Sequence, residues 1–184
     1  MITTTFPAIF LTLTLIISLF HLSSSQPPNL IQDICQQAAL VPPTTFKDCV
    51  ATLASKPGSR SADLKGLAQI TLKSGIATAK EAQKYVEARL LAATLPRLAR
   101  PALKSCASWL SAAAGSFGGA LVELDEDVMS ANYDSKIAGD DARSCRAALA
   151  AGRVSEPSLE VRVGYLVLYS NIADVITDRL MTSG

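Results

Sequence analysis

The sequence predicts an all-α protein: an up-and-down four-helix bundle preceded by a short, disulfide-stapled N-terminal helical hairpin. Three observations carry that expectation. Ala and Leu are abundant while aromatic residues make up only 5% of the 184 residues, a balance that favours helices over a β-sandwich. Apolar residues recur at steps of three or four along four long segments, the spacing of one buried helix face. The links between those segments are short, which forces consecutive helices to lie antiparallel. With 49% hydrophobic and 18% charged residues, the chain has material for one core and does not have a disordered composition. Its formal net charge of +1 gives no general pull toward nucleic acid or an anionic membrane.

Residues 1–25 contain no Asp, Glu, Lys or Arg and carry the apolar run Ile9 to Phe20, followed by Ser23, Ser24 and Ser25. That is the pattern of a secretory signal peptide. A membrane anchor is the competing reading. A spanning helix wants about 20 apolar residues, and this run is shorter, interrupted by threonines and preceded by Pro7. Cleavage after Ser25 leaves Gln26 first and removes His21, the single histidine. No membrane association is expected once the leader is gone, and the mature chain is expected to be secreted.

Residues 26–60 read as the hairpin. Asn29 can cap a short helix from Leu30 to Leu40, and Pro42-Pro43 stops it. Thr44 or Thr45 can cap a second helix that reaches about Ser55 and ends at Pro57-Gly58-Ser59. Each half is about ten residues, too short to hold by itself in water. Four cysteines, Cys35, Cys49, Cys106 and Cys145, enter an oxidising compartment and allow three connectivities. Proximity along the chain favours Cys35–Cys49, across the proline break, and Cys106–Cys145, from one long helix to the next. Loop entropy would make these worth about 3 and about 4 kcal/mol. Zinc ligation is disfavoured because no C-x-x-C pair exists and no histidine remains.

Residues 61–184 supply the bundle. Ser61 or Asp63 opens its first helix, with Leu64, Leu67, Ala68, Ile76, Ala79, Val86 and Leu90 apolar before Pro96. The second is expected to start near Pro101, a residue suited to a first helical position, and continues through Leu103, Cys106, Leu110, Ala114, Phe117, Leu121 and Leu124. Gly115-Ser116-Phe117-Gly118-Gly119 matches no nucleotide fingerprint and reads as small residues permitting close helix packing. Asp125-Glu126-Asp127 fits no calcium loop and reads as acids favoured at the start of the third helix. That helix carries Met129, Tyr133, Ile137, Ala142, Cys145 and Leu149, and Gly152 closes it. Ser155-Glu156-Pro157 starts the last, with Leu159, Val163, Leu166, Tyr169, Ala173, Ile176 and Leu180 on one face. A strand is the rival reading for Val161 to Tyr169, but the run lacks strict alternation and sits inside a longer helical pattern.

The chemistry is sparse. Nucleophilic triads need an imidazole base, which the mature chain would lack. Arg97, Arg100 and Lys104 cluster around Pro101 with no aromatic residue interleaved, so a solvated turn is preferred to nucleic-acid binding. Trp109 and Tyr133 read as core residues. No cofactor is implied, an enzyme is not expected, and the protein is expected to act through its surface.

Several segments together carry a resemblance. Cys35 is followed by Thr44-x-Phe46-x-x-Cys49 and Leu53, and Ala62-Asp63-Leu64-Lys65-Gly66-Leu67-Ala68 opens the first bundle helix. Asp127-Val128-Met129-Ser130-Ala131-Asn132 leads to Asp140-Asp141-Ala142-Arg143-Ser144-Cys145, and Leu168-Tyr169-Ser170-Asn171-Ile172-Ala173 lies in the last helix. From about Leu30 to Leu180 the pattern resembles the plant invertase and pectin methylesterase inhibitors. The resemblance implies an apoplastic protein, or a vacuolar one if invertase is its target, that sits in a 1:1 complex on an enzyme's substrate cleft. One type of invertase inhibitor presents Pro-Lys-Phe near the start of the third bundle helix, where this chain has Asp127-Val128-Met129. That difference, and the segment Asp63 to Gln69, favour pectin methylesterase as the expected partner. Acid invertase (beta-fructofuranosidase) is the alternative, and a non-inhibitory secreted interaction module the one after it. On this reading, contacts are expected on exposed faces of the helices after Asp63 and Asp127, with Asn132, Asp134, Lys136, Asp140 and Asp141 as candidates.

Overall fold

Side-chain caps set most of the helix starts. In the computed structural model, which describes residues 29–93 and 95–183, Asn29 accepts a hydrogen bond from the Ile31 amide and opens α1 (Leu30–Ala38). Thr45 accepts from the Asp48 amide and opens α2 (Phe46–Ala54). Asp63 does the same for Gly66 at the start of α3 (Leu64–Leu91), and Asp127 for Met129 at the start of α5 (Val128–Ala151). Between these lies α4 (Ala99–Glu123), and α6 (Pro157–Thr182) ends the fold. The described residues contain six helices and no strand. The expected signal peptide, residues 1–25, lies outside the described residues.

The four long helices form a closed ring: α3 packs on α4 and α6, and α5 packs on α4 and α6. This is the up-and-down bundle. Cys106 of α4 is bonded to Cys145 of α5, and Cys35 of α1 to Cys49 of α2, with all four sulfur-bearing side chains fully buried. The hairpin of α1 and α2 lies against α6. Asn171 Nδ2 donates to Thr44 Oγ1 at 2.8 Å and to the Val41 carbonyl at 3.3 Å. Arg179 donates to Gln37 Oε1 at 2.9 Å and to the Asp33 carbonyl at 3.0 Å. With the bundle on one side and the hairpin on the other, every residue from Leu166 to Ala173 is buried. The stretch that resembled a strand, Val161 to Tyr169, is helix: Val163 and Leu166 to Tyr169 are buried, while Val161 and Tyr165 remain exposed.

Three expectations are refined or corrected. Pro101 is the third residue of α4 rather than the first, and the helix begins at Ala99 without a side-chain cap. The change is harmless, because the first four amides of a helix have no intrahelical acceptor to lose. The glycine-rich stretch of α4 permits close approach at one of its glycines, Gly119, where an added Cβ would collide with the Asp134 carboxylate of α5. An added Cβ at Gly115 or Gly118 would meet nothing within 4 Å. Close approach occurs also at Gly75 of α3, where a Cβ would stand 2.9 Å from three atoms of the Phe117 ring, and at Gly139 of α5, beneath Ser170. Finally, Trp109 and Tyr133 are not core residues: they are 41% and 64% exposed.

The end of the bundle where α3 finishes is braced by a polar group. Glu156 precedes α6 and is buried. It accepts from the Tyr85 hydroxyl at 2.7 Å and from Arg89 Nε at 2.9 Å, with Arg89 Nη2 at 2.8 Å. Burial alone would raise the Glu156 carboxyl, but the hydrogen bonds from Arg89 and Tyr85 and the Arg89 charge outweigh it and hold it below its ordinary value. The Tyr85 hydroxyl is correspondingly pushed up, first by its bond to Glu156.

Two stability predictions follow from this packing. Gly75→Val should lower unfolding free energy by about 2 kcal/mol through overpacking against Phe117, whereas Gly115→Ala should raise it by about 0.5–1 kcal/mol, as read by urea denaturation. A depressed folded-state carboxyl stabilises above its unfolded pKa and loses that contribution as pH falls through the folded value. Glu156→Gln should therefore cost about 2 kcal/mol near neutrality, with the gap to wild type closing below about pH 4.

Candidate partner-binding surface

The faces of α5 are set by residue size. Ala131, Ser135, Ala138, Gly139 and Ala142 are all buried, and these small side chains let α5 lie close to α4 and α6. The large residues at 129 and 133 then fall outside. Met129 and Tyr133, expected on the buried stripe, are 71% and 64% exposed. They begin an outward stripe that continues with Lys136, Asp140 and Arg143 at alternating steps of four and three residues, all exposed. The size pattern was present in the sequence. A stripe of small residues two positions from the apparent apolar one was the signal that could have found the true orientation.

The five candidate contact residues divide accordingly. Lys136 and Asp140 are on the outward stripe. Lys136 Nζ lies 3.2 Å from Asp174 Oδ1 and donates to Asn132 Oδ1 at 3.0 Å, while Asp140 pairs with Arg143 at 2.9 Å. Asp134 is half-buried, with its carboxylate lying over Gly119 of α4. Asn132 and Asp141 are buried, contrary to their expected place on an exposed face. Asn132 faces α6, where its Nδ2 lies within hydrogen-bond distance of Asp174 Oδ1, at 2.8 Å, and Thr177 Oγ1, at 2.9 Å. Asp141 faces α4 and accepts from the Ser116 hydroxyl at 3.1 Å. Both satisfy neighbouring helices because a buried polar group needs a partner.

Near the start of α5 the chain is strongly acidic. Asp127, besides capping the helix, accepts from the Ser130 hydroxyl at 2.7 Å, and this bond above all holds its carboxyl below the ordinary range. Glu123 is pushed the other way, first by burial and then by the charges of Asp134, Asp127 and Glu126. Lys65 of α3 pairs with Asp125. Among the described residues, no cluster of three or more His, Cys, Asp or Glu side chains is arranged to hold a metal ion. A separate open groove of about 360 Å³ runs between α2 and α6 and is lined by Thr45, Asp48, Thr52, Val161, Tyr165 and Leu168.

These features define a covalently braced helical bundle with a stripe of exposed side chains along α5. The chain belongs to the plant invertase/pectin methylesterase inhibitor family, whose model matches residues 29–174. It is 28% identical over 119 residues to the cell wall / vacuolar inhibitor of fructosidase 2 of Arabidopsis thaliana, a match covering 65% of this chain and 63% of that relative. The fold is similar to the crystal structure of mutant form A of a pectin methylesterase inhibitor from Arabidopsis. That likeness has a TM-score of 0.69 at 22% identity, covering 80% of this chain and 95% of the other. A second crystal structure, of a pectin methylesterase inhibitor from Arabidopsis thaliana, gives a TM-score of 0.62 at 23% identity over 82% of this chain and 95% of its own.

Burial acts on Asp141 as the largest influence and raises its carboxyl, the Ser116 bond opposes this, and the Asp140 charge adds to it. A raised folded-state carboxyl stabilises below its unfolded pKa and loses that contribution as pH rises through the folded value. Asp141→Asn should therefore melt higher than wild type near pH 7, with the advantage vanishing near about pH 3.5 in parallel thermal scans.

Proposed function

We propose that this protein is a secreted inhibitor of a plant cell-wall carbohydrate-active enzyme, acting by stoichiometric steric blocking of the substrate cleft. Pectin methylesterase is the target we favour. The observation that carries the reading is the outward stripe of α5, on which Met129 and Tyr133 stand exposed beside Lys136 and Asp140 on a helix fixed from behind. Exposed aromatic and Met side chains on a preorganised scaffold are the usual anchors of an interface, and charged neighbours set register and rate of encounter. Family membership supplies the class of partner. On this reading residues 1–25 are the leader, residues 26–60 the hairpin and residues 61–184 the bundle of a single inhibitor domain that works outside the cell.

Acid invertase is the second reading, favoured by the likeness to the fructosidase inhibitor. The same surface would serve with a different enzyme.

Titration of the purified, oxidised protein against a pectin methylesterase and an acid invertase separates the two. Ester hydrolysis should fall to near zero at equimolar inhibitor while sucrose cleavage persists. Tyr133→Ala and Met129→Ala should each weaken inhibition about tenfold, the effect of a side chain worth about 1.4 kcal/mol at an interface. Loss of sucrose cleavage alone would transfer the assignment to invertase, and loss of neither activity would defeat it.

A further inference from the structure

Charge is distributed unevenly along the bundle axis. At the end formed by the α3–α4 and α5–α6 links stand Arg97, Arg100, Lys104 and Arg153, and among the described residues none of these four is in an ion pair. The acids nearby, Glu156 and Glu160, are already engaged with Arg89 and Arg146. Leu91 and Leu98 flank these cations at 87% and 88% exposure, the two most exposed large apolar residues described. The opposite end is the reverse. The α4–α5 turn gathers Glu123, Asp125, Glu126 and Asp127, with Asp134 close enough for its charge to be felt at Glu123. Only Asp125 among them has a cationic partner, Lys65, and Val122 beside them is 63% exposed.

We propose that the bundle associates end to end with a second copy of this chain, the Arg97/Lys104 tip of one molecule docking on the Glu123–Asp127 turn of the next. Each end carries what the other needs: unpaired cations with two exposed leucines against a surplus of carboxylates with an exposed valine. The leucines favour this occupant over a hydrated anionic polymer, which would pair the cations but leave the apolar side chains in water. The two patches differ, so the contact is heterologous and leaves a free end at each side. Association then yields open strings rather than a closed dimer. A tip-to-tip contact is small, so the strings are weak and salt-sensitive. The proposal is independent of which enzyme the inhibitor targets.

Sedimentation velocity on the oxidised secreted protein at about 0.2 mM tests it near neutral pH, comparing about 20 mM with about 500 mM salt, where the Debye length shrinks from roughly 20 Å to roughly 4 Å. Weight-average mass should exceed the monomer by about half at low salt and return to the monomer at high salt. The chain carrying Arg97→Glu and Lys104→Glu should be monomeric alone, as should the chain carrying Asp125→Lys and Glu126→Lys. An equimolar mixture of the two, each checked for helical circular dichroism, should associate again because opposite ends are restored between molecules. A wild-type monomer at low salt, a single-end variant that associates by itself, or a mixture that stays monomeric overturns the pairing. A monomer that instead binds immobilised polygalacturonate through Arg97 and Lys104 overturns it in favour of an anionic polysaccharide.

Discussion

The structure depends on the burial of α6 from two sides. Its middle, from Leu166 to Ala173, is enclosed by the bundle and by the hairpin, and it serves both as a wall of the core and as the seat of α1 and α2. Enclosing a helix completely leaves its polar side chains without water, so each needs a partner within the fold. Asn171 meets this by donating to the hairpin turn, and its Oδ1 lies 3.4 Å from Arg143 Nη2 of α5. Thr177 bonds back to the Ala173 carbonyl and receives Asn132 of α5. One helix thereby ties the hairpin to α5 through hydrogen bonds, whereas each disulfide joins helices consecutive in the sequence.

This arrangement would supply the stiffness that the proposed blocking role requires. Order imposed before binding is entropy that binding need not supply. The α5 stripe is held from behind by small residues against α4 and α6, by Cys145 on its inner face and by Asn132 at its base.

Much of this was legible in the sequence. Asn29, Thr45, Asp63 and Asp127 announce helix starts through chemistry local to three residues, and each cap formed. The stripe of α6 was legible because Leu, Val and Ile dominate it. The face of α5 was not, for a physical reason. Helix packing selects for shape as well as hydrophobicity, and Ala, Ser and Gly allow an approach that Met and Tyr would prevent. An apolar count ranks Met129 and Tyr133 as core, and steric fit puts them in solvent. Asn132 and Asp141 were misplaced by the converse assumption that a polar residue faces out. Which polar groups are enclosed depends on Asp174, Thr177 and Ser116, partners far along the chain that no local pattern reveals.

Both cystine bridges lie wholly inside the protein, with no exposed surface on any of the four residues. A thiolate must reach a sulfur atom to exchange with it, so reductants can act only on molecules that have first opened locally. Chemical reduction thus becomes a clock for breathing of the fold: the hairpin bridge times the loosening of a peripheral layer, and the α4–α5 bridge times that of the centre.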